Sequence, residues 1–155
     1  MEIIGNYLSY GDSSVLKQEV RIKRGLVYSV SAGFDLYQDA TVFFIQAATT
    51  KPKETTEIVL DIMRNLDKNF TVEIFDEIKE QTASAFIRGI NDPFSELGFL
   101  GKGWQLYEKI ISPKKFLEIL DKIRHKDVIA VANKYLSEDR LLTAAIGNEE
   151  FKINF

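Results

Sequence analysis

The chain has 155 residues, is 45% hydrophobic and 28% charged, and carries a formal net charge of -3. That length supports one domain with its own core, and the mild acidity excludes the broad positive field that nucleic acid or anionic lipid would need. There is no Cys, so disulfides and thiol chemistry are excluded, and no apolar run nears the roughly 20 residues that span a bilayer. Met1–Gly11 lacks a basic stretch ahead of its apolar residues, so no signal peptide is expected, and the compartment stays open.

Glu2–Arg24 reads mainly as helix. Ile3, Ile4, Tyr7 and Leu8 recur at helical spacing. Gly11-Asp12-Ser13-Ser14 breaks the pattern, and Ser13 or Ser14 can cap a second helix through Val15, Leu16 and Val20. Gly25 stops it, because glycine tolerates the left-handed conformation of a helix exit. Leu26–Tyr37 and Thr41–Thr50 read as two strands joined by a short hairpin link at Gln38-Asp39-Ala40. In the first, Leu26, Tyr28, Val30, Ala32, Phe34 and Leu36 share one face, and Ser29, Ser31, Gly33 and Asp35 the other. In the second, the run Val42-Phe43-Phe44-Ile45 predicts burial on both faces and a central place in the sheet.

Lys51–Asn69 is expected as a helix opened by Pro52, with an apolar stripe at Ile58, Val59, Ile62, Met63 and Leu66. Thr71 can cap the next, which runs to about Ile90. Asp92-Pro93 and Ser112-Pro113 each pair a capping side chain with Pro at the first helical position. Asp127–Leu136 closes the helical block and Leu141–Ile146 reads as a last strand. Strands segregate from helices, which predicts an α+β fold: an antiparallel sheet with helices layered on one face. The aromatics, Phe 11 and Tyr 6, are expected to fill the core.

Several features invite chemistry. Gly98-Phe99-Leu100-Gly101-Lys102-Gly103 fails the phosphate-loop spacing, since Gly103 stands where a magnesium-holding hydroxyl belongs; a flexible interruption of the helix is expected instead. Glu73, Asp76, Glu77 and Glu80 recur at helical spacing as a solvated face. The single His, His125, lies in a polar helix start and is expected at the surface; one His cannot supply a two-His metal centre. Arg21 and Tyr28 flank the helix-to-strand junction. A guanidinium and a phenol donate directed hydrogen bonds, yet strand parity places Tyr28 with Leu26 and Val30, on the core face, and Arg21 sits among Lys17, Lys23 and Arg24 as one more solvated charge.

Four pieces in order carry a family resemblance across nearly the whole chain. Gly11-Asp12-Ser13-Ser14-Val15-Leu16 is similar to a G-x-S-S-x-L turn. Glu19-Val20-Arg21 followed by Lys23-Arg24-Gly25-Leu26-Val27-Tyr28-Ser29 resembles an R-E-x-x-G-L-x-Y-S-V signature. Thr49-Thr50-Lys51-Pro52 with Glu57 matches a strand-to-helix turn, and Asp127-Val128 with Val131-Ala132-Asn133-Lys134-Tyr135-Leu136 resembles D-V-x-x-V-A-x-K-Y-L. These are patterns of the C-terminal, non-metal half of the insulinase/pitrilysin metallopeptidases, which include the mitochondrial processing peptidase. Against that pattern the first strand of the half-domain is missing, Ala40-Thr41 replaces a frequent turn Gly, and Arg124 stands where a Ser or Thr cap is usual. The resemblance implies a single domain over residues 1–155, expected as a fragment of a longer half-domain, with an unusual short gene product as the alternative.

The resemblance also implies roles. Arg21 and Tyr28 would hold peptide substrate and its developing charge opposite a zinc site. The zinc, with its H-x-x-E-H ligands and general base, would sit on a partner half, either on the same parent chain or on a separate subunit. No metal is expected in this chain, and no catalysis from it alone. The partners implied are that zinc-bearing half and an extended peptide paired with a sheet edge, with no nucleic acid and no membrane. The alternative is a non-catalytic assembly or core subunit of the same fold.

Overall fold

A computed structural model describes residues 1–147. Ile3, Ile4, Tyr7 and Leu8 are all buried on α1 (Glu2–Ser9), as their spacing predicts. The second helical stretch departs from expectation. Ser14 does not cap it; the buried hydroxyl donates to the Gly11 carbonyl at 3.0 Å. The chain winds as a π-helix over Lys17–Ile22, and the Lys23 N–H reaches the Gln18 carbonyl at 2.9 Å, one residue further back than an α-helix allows. Gly25 ends it at φ 59°. Its N–H bonds the Arg21 carbonyl and the Leu26 N–H bonds the Val20 carbonyl, both at 3.0 Å. This is a Schellman-type exit widened by one residue. Gly25→Ala places a Cβ in the left-handed region, so urea unfolding should show a loss of roughly 1–2 kcal/mol.

β1 (Val27–Leu36) and β2 (Thr41–Thr49) form an antiparallel pair with Ala32 opposite Ile45 and Phe34 opposite Phe43. Val30, Ala32, Phe43 and Ile45 pack on the core from the inner face. Ser29, Ser31 and Gly33 share the outer face with Ala48, Gln46 and Phe44. The Phe44 ring covers Gly33 so closely that a Cβ there would lie 2.9 Å from Cζ.

Two strand expectations are corrected. Among the described residues β2 pairs with β1 alone and is not central, and Val42 is 51% exposed. Its run of large apolar residues serves two faces without another strand: Phe43 and Ile45 meet the core, while Phe44 roofs the glycine opposite it. Leu141–Ile146 forms no strand, and Leu142 and Ile146 are exposed. An apolar run becomes a strand only where an edge takes up its backbone hydrogen bonds, and neither β1 nor β2 pairs with this one.

The helices follow. Lys51–Asn69 is split into α2 (Pro52–Arg64) and α3 (Leu66–Asn69). Asn65 interrupts it, turning its amide back onto the Asp61 carbonyl (2.9 Å) and carboxylate (3.0 Å). α4 (Val72–Gly89), α5 (Pro93–Tyr107) and α6 (Pro113–Lys122) start at the expected caps, where Thr71, Asp92 and Ser112 accept N–H bonds. Gly98–Gly103 does not interrupt α5; Gly103 lets the following turn close over the helix, since a Cβ there would meet the Lys109 carbonyl oxygen at 3.2 Å. α7 (His125–Tyr135) begins earlier than expected. The Asp127 carboxylate accepts the Arg124 N–H at 3.1 Å, which closes the first turn without a Ser or Thr cap. Glu73, Asp76, Glu77 and Glu80 are exposed, as their spacing predicts. No described helix is long and apolar enough to cross a membrane.

α1 and the π-helix lie against β1 on the inner face of the sheet, and α1 in turn packs on α4. This is the expected α+β layering. Phe70 is fully buried at the centre, with ring centroids 4.7 Å from Tyr7 and 6.2 Å from Phe75.

Candidate functional site at the helix-to-strand junction

The π-helix delivers Arg21 and the start of β1 delivers Tyr28. Parity from Leu26 predicts Tyr28 inside, and the structure corrects this. Leu26, Val27 and Val30 are buried, while Tyr28 is 83% exposed. The cause is a register shift: Val27 pairs with Thr49 and Ser29 with Ala48, so Tyr28 is surplus on its strand. Such a β-bulge leaves its extra residue unpaired and re-aims the side chain, and regular pairing resumes at Ser29. Thr49 braces the junction, donating its hydroxyl to the Leu26 carbonyl at 2.7 Å and meeting the Thr55 hydroxyl at 3.0 Å.

The two extra residues, one in the helix and one in the strand, bring the pair together. The Arg21 guanidinium carbon lies 6.0 Å from the Tyr28 ring centroid, at the outer limit of a cation–π contact. Both side chains are exposed. Lys23 and Arg24 are different: Glu19 accepts from them at 2.5 and 2.6 Å. Those hydrogen bonds, Lys23's first, hold the Glu19 carboxyl below its ordinary pKa. Among the described residues Arg21 makes no ion pair and the Tyr28 hydroxyl no hydrogen bond. One cation of the basic run and one phenol are thus left with donors to offer.

Beside the bulge, Ser29, Ser31, Gln46 and Ala48 line a shallow groove of about 350 Å³ on the outer face. Sequence reading missed this groove. Its signal is the row of small polar residues on β1 opposite Gln46 and Ala48, which becomes meaningful only once the register is known. A larger groove of about 450 Å³ runs past Phe75, Lys79, Asp121 and His125, but Lys79 and His125 in it are committed to the fold. Lys79 Nζ donates to the Asp121 and Ile123 carbonyls at the end of α6. His125 is not the surface histidine expected; it is half-buried, its Nε2–H donates to the Phe70 carbonyl at 2.5 Å, and its ring packs between Phe70 and Phe75. Among the described residues no three His, Cys, Asp or Glu are grouped to hold a metal ion.

A family model of the peptidase M16 inactive domain matches residues 1–82, the segment that contains both Arg21 and Tyr28. The chain belongs to this family. An uncharacterized zinc protease of Rickettsia bellii is 29% identical over 141 residues, covering 88% of this chain and 34% of the relative. The structure of a peptidase M16 inactive domain from Pseudomonas fluorescens superposes with a TM-score of 0.75 at 26% identity, over 90% of this chain and 34% of that one. A protease from Helicobacter pylori shares the fold with a TM-score of 0.77 at 19% identity, over 90% of this chain and 34% of that one. The chain therefore spans about a third of the length of the curated relatives it matches. The zinc in those relatives' names finds no fitting donor set among the described residues of this M16 inactive domain, whose one His is engaged with Phe70.

Proposed function

We propose that this chain is the substrate-binding, non-metal half of a zinc-dependent endopeptidase, and part of a longer half-domain. The observation that carries the reading is the bulge at Tyr28, which turns a phenol out of the core and beside Arg21, which makes no ion pair among the described residues. A family relationship to zinc proteases supports it. Zinc, carried by a partner half with an H-x-x-E-H motif, would supply Lewis-acid polarisation and an activated water.

This chain's residues do the rest. The phenol donates one directed hydrogen bond and the guanidinium offers a planar fork. Aimed at a peptide carbonyl, the two fix its position and strengthen their hold as negative charge builds on its oxygen. The peptide backbone runs over the outer groove, where Ser29, Ser31 and Ala48 leave space.

The test is reconstitution. Chelator-washed chain should hold no stoichiometric zinc and cleave no peptide, and hydrolysis should appear when the zinc-bearing half is added. One tightly held zinc per chain, or cleavage by the chain alone, would overturn the assignment.

A further inference from the structure

The helix α5 presents two different faces. Phe99 points inward and joins a satellite cluster, with ring centroids 5.0 Å from Phe86 and 5.7 Å from Phe116. The other face carries Phe94, Leu97 and Trp104, which are 86, 65 and 59% exposed. With Gly101 they fall at i, i+3, i+7 and i+10, a single stripe along the helix. No residue of α5 is fully buried. The helix carries only two charges, Glu96 and Lys102, and neither lies in that stripe. At Gly98 and Gly101 a Cβ would meet nothing within 4 Å. Large apolar knobs thus flank a glycine notch, the shape that admits a crossing helix at close range. Scattered exposed apolar residues are ordinary, but an aligned aromatic stripe without charges has the composition of an interface centre.

We infer that this stripe is the seam on which the zinc-bearing half docks, an inference that rests on the peptidase reading above. Two facts choose that occupant over a second copy of the chain. The stripe is too small to hold a dimer by itself: a 15-residue helix is about 22 Å long, and a strip roughly 10 Å wide on each partner buries about 450 Å² in total, against roughly 1,200 Å² for a stable interface. Such a contact suffices when the partner adds further contact or belongs to the same chain, which raises its effective concentration. The chain spans 34% of its Rickettsia relative, so about twice its own length is available in a parent protein of that size to do so.

The experiment titrates the chain against the zinc-bearing half by sedimentation velocity and measures peptide turnover at saturating chain. One variant combines Phe94→Gln, Leu97→Gln and Trp104→Gln. A second, Gly98→Leu with Gly101→Leu, fills the notch from open space and leaves the chain's own packing intact. Both should fold as the parent does and weaken binding about tenfold or more, with turnover at saturation unchanged. Unchanged affinity in both variants overturns the inference, as does a failure of the parent chain to bind at all. Self-association of the parent that the first variant abolishes also overturns it, in favour of a second copy. Binding through the stripe without any turnover keeps the seam and removes the peptidase reading.

Discussion

Tyr28→Phe should cut turnover of the reconstituted pair by about a hundredfold or more, the usual loss for one donor to a developing oxyanion, while the unfolding midpoint stays put. The structure makes this a clean substitution. The ring is 83% exposed and its hydroxyl makes no hydrogen bond among the described residues, so the fold loses nothing when the oxygen goes. The loss should appear in kcat and kcat/KM together, which marks an interaction made mainly in the transition state. Arg21→Lys should impair turnover as well, because an ammonium keeps the charge and loses the planar fork. The measurement is peptide hydrolysis with the zinc-bearing half and substrate in excess. Full activity of Tyr28→Phe would remove the catalytic role and put the reading as a non-catalytic assembly subunit ahead.

Phe70→Ala should cost about 3–5 kcal/mol in urea unfolding, the range for truncating a fully buried aromatic. Phe70 has no exposed surface and follows directly on the short helix α3. Its ring meets Tyr7, Phe75 and His125, and so joins α1, α4 and α7 at one point. Neighbours from three helices cannot all close on the cavity, so the loss should fall at the upper end. Its carbonyl accepts from His125, and a collapse that moves the backbone would break that bond too. Phe94→Ala is the internal control. That side chain is 86% exposed, and its removal should stay within about 0.5 kcal/mol. Equal losses at both positions would contradict the core described above.

Much of this architecture is legible in the residues. The caps at Thr71, Asp92 and Ser112 declare themselves because the signal is local, a hydroxyl or carboxylate within three residues of the N–H it satisfies. The apolar spacing of α1 is equally local. The pairing of Arg21 with Tyr28 is not. Each lies beside an irregularity, the π-helix and the β-bulge, and an irregularity is defined by a partner strand or turn that the local pattern does not contain. Leu26-Val27, two apolar residues in succession, is the one trace the bulge leaves in the sequence. The strand expected at Leu141–Ile146 fails for the converse reason: its composition suits a strand, but pairing depends on an edge elsewhere. His125 shows the same limit, since its partner, the Phe70 carbonyl, is 55 positions away.

The two surplus residues have a genetic consequence. The site is addressed by chain length as much as by residue identity. Deleting one residue from Lys17–Ile22 would restore ordinary helical winding and swing Arg21 around the axis. Deleting Tyr28, the surplus residue between Val27 and Ser29, would restore strict alternation in β1 and take the phenol with it. Either change keeps the buried set nearly intact, so both should yield folded proteins that lack the paired guanidinium and phenol. Libraries of point substitutions hold length constant and would pass over this dependence. A scan of single-codon deletions from Lys17 to Ser29 would expose it.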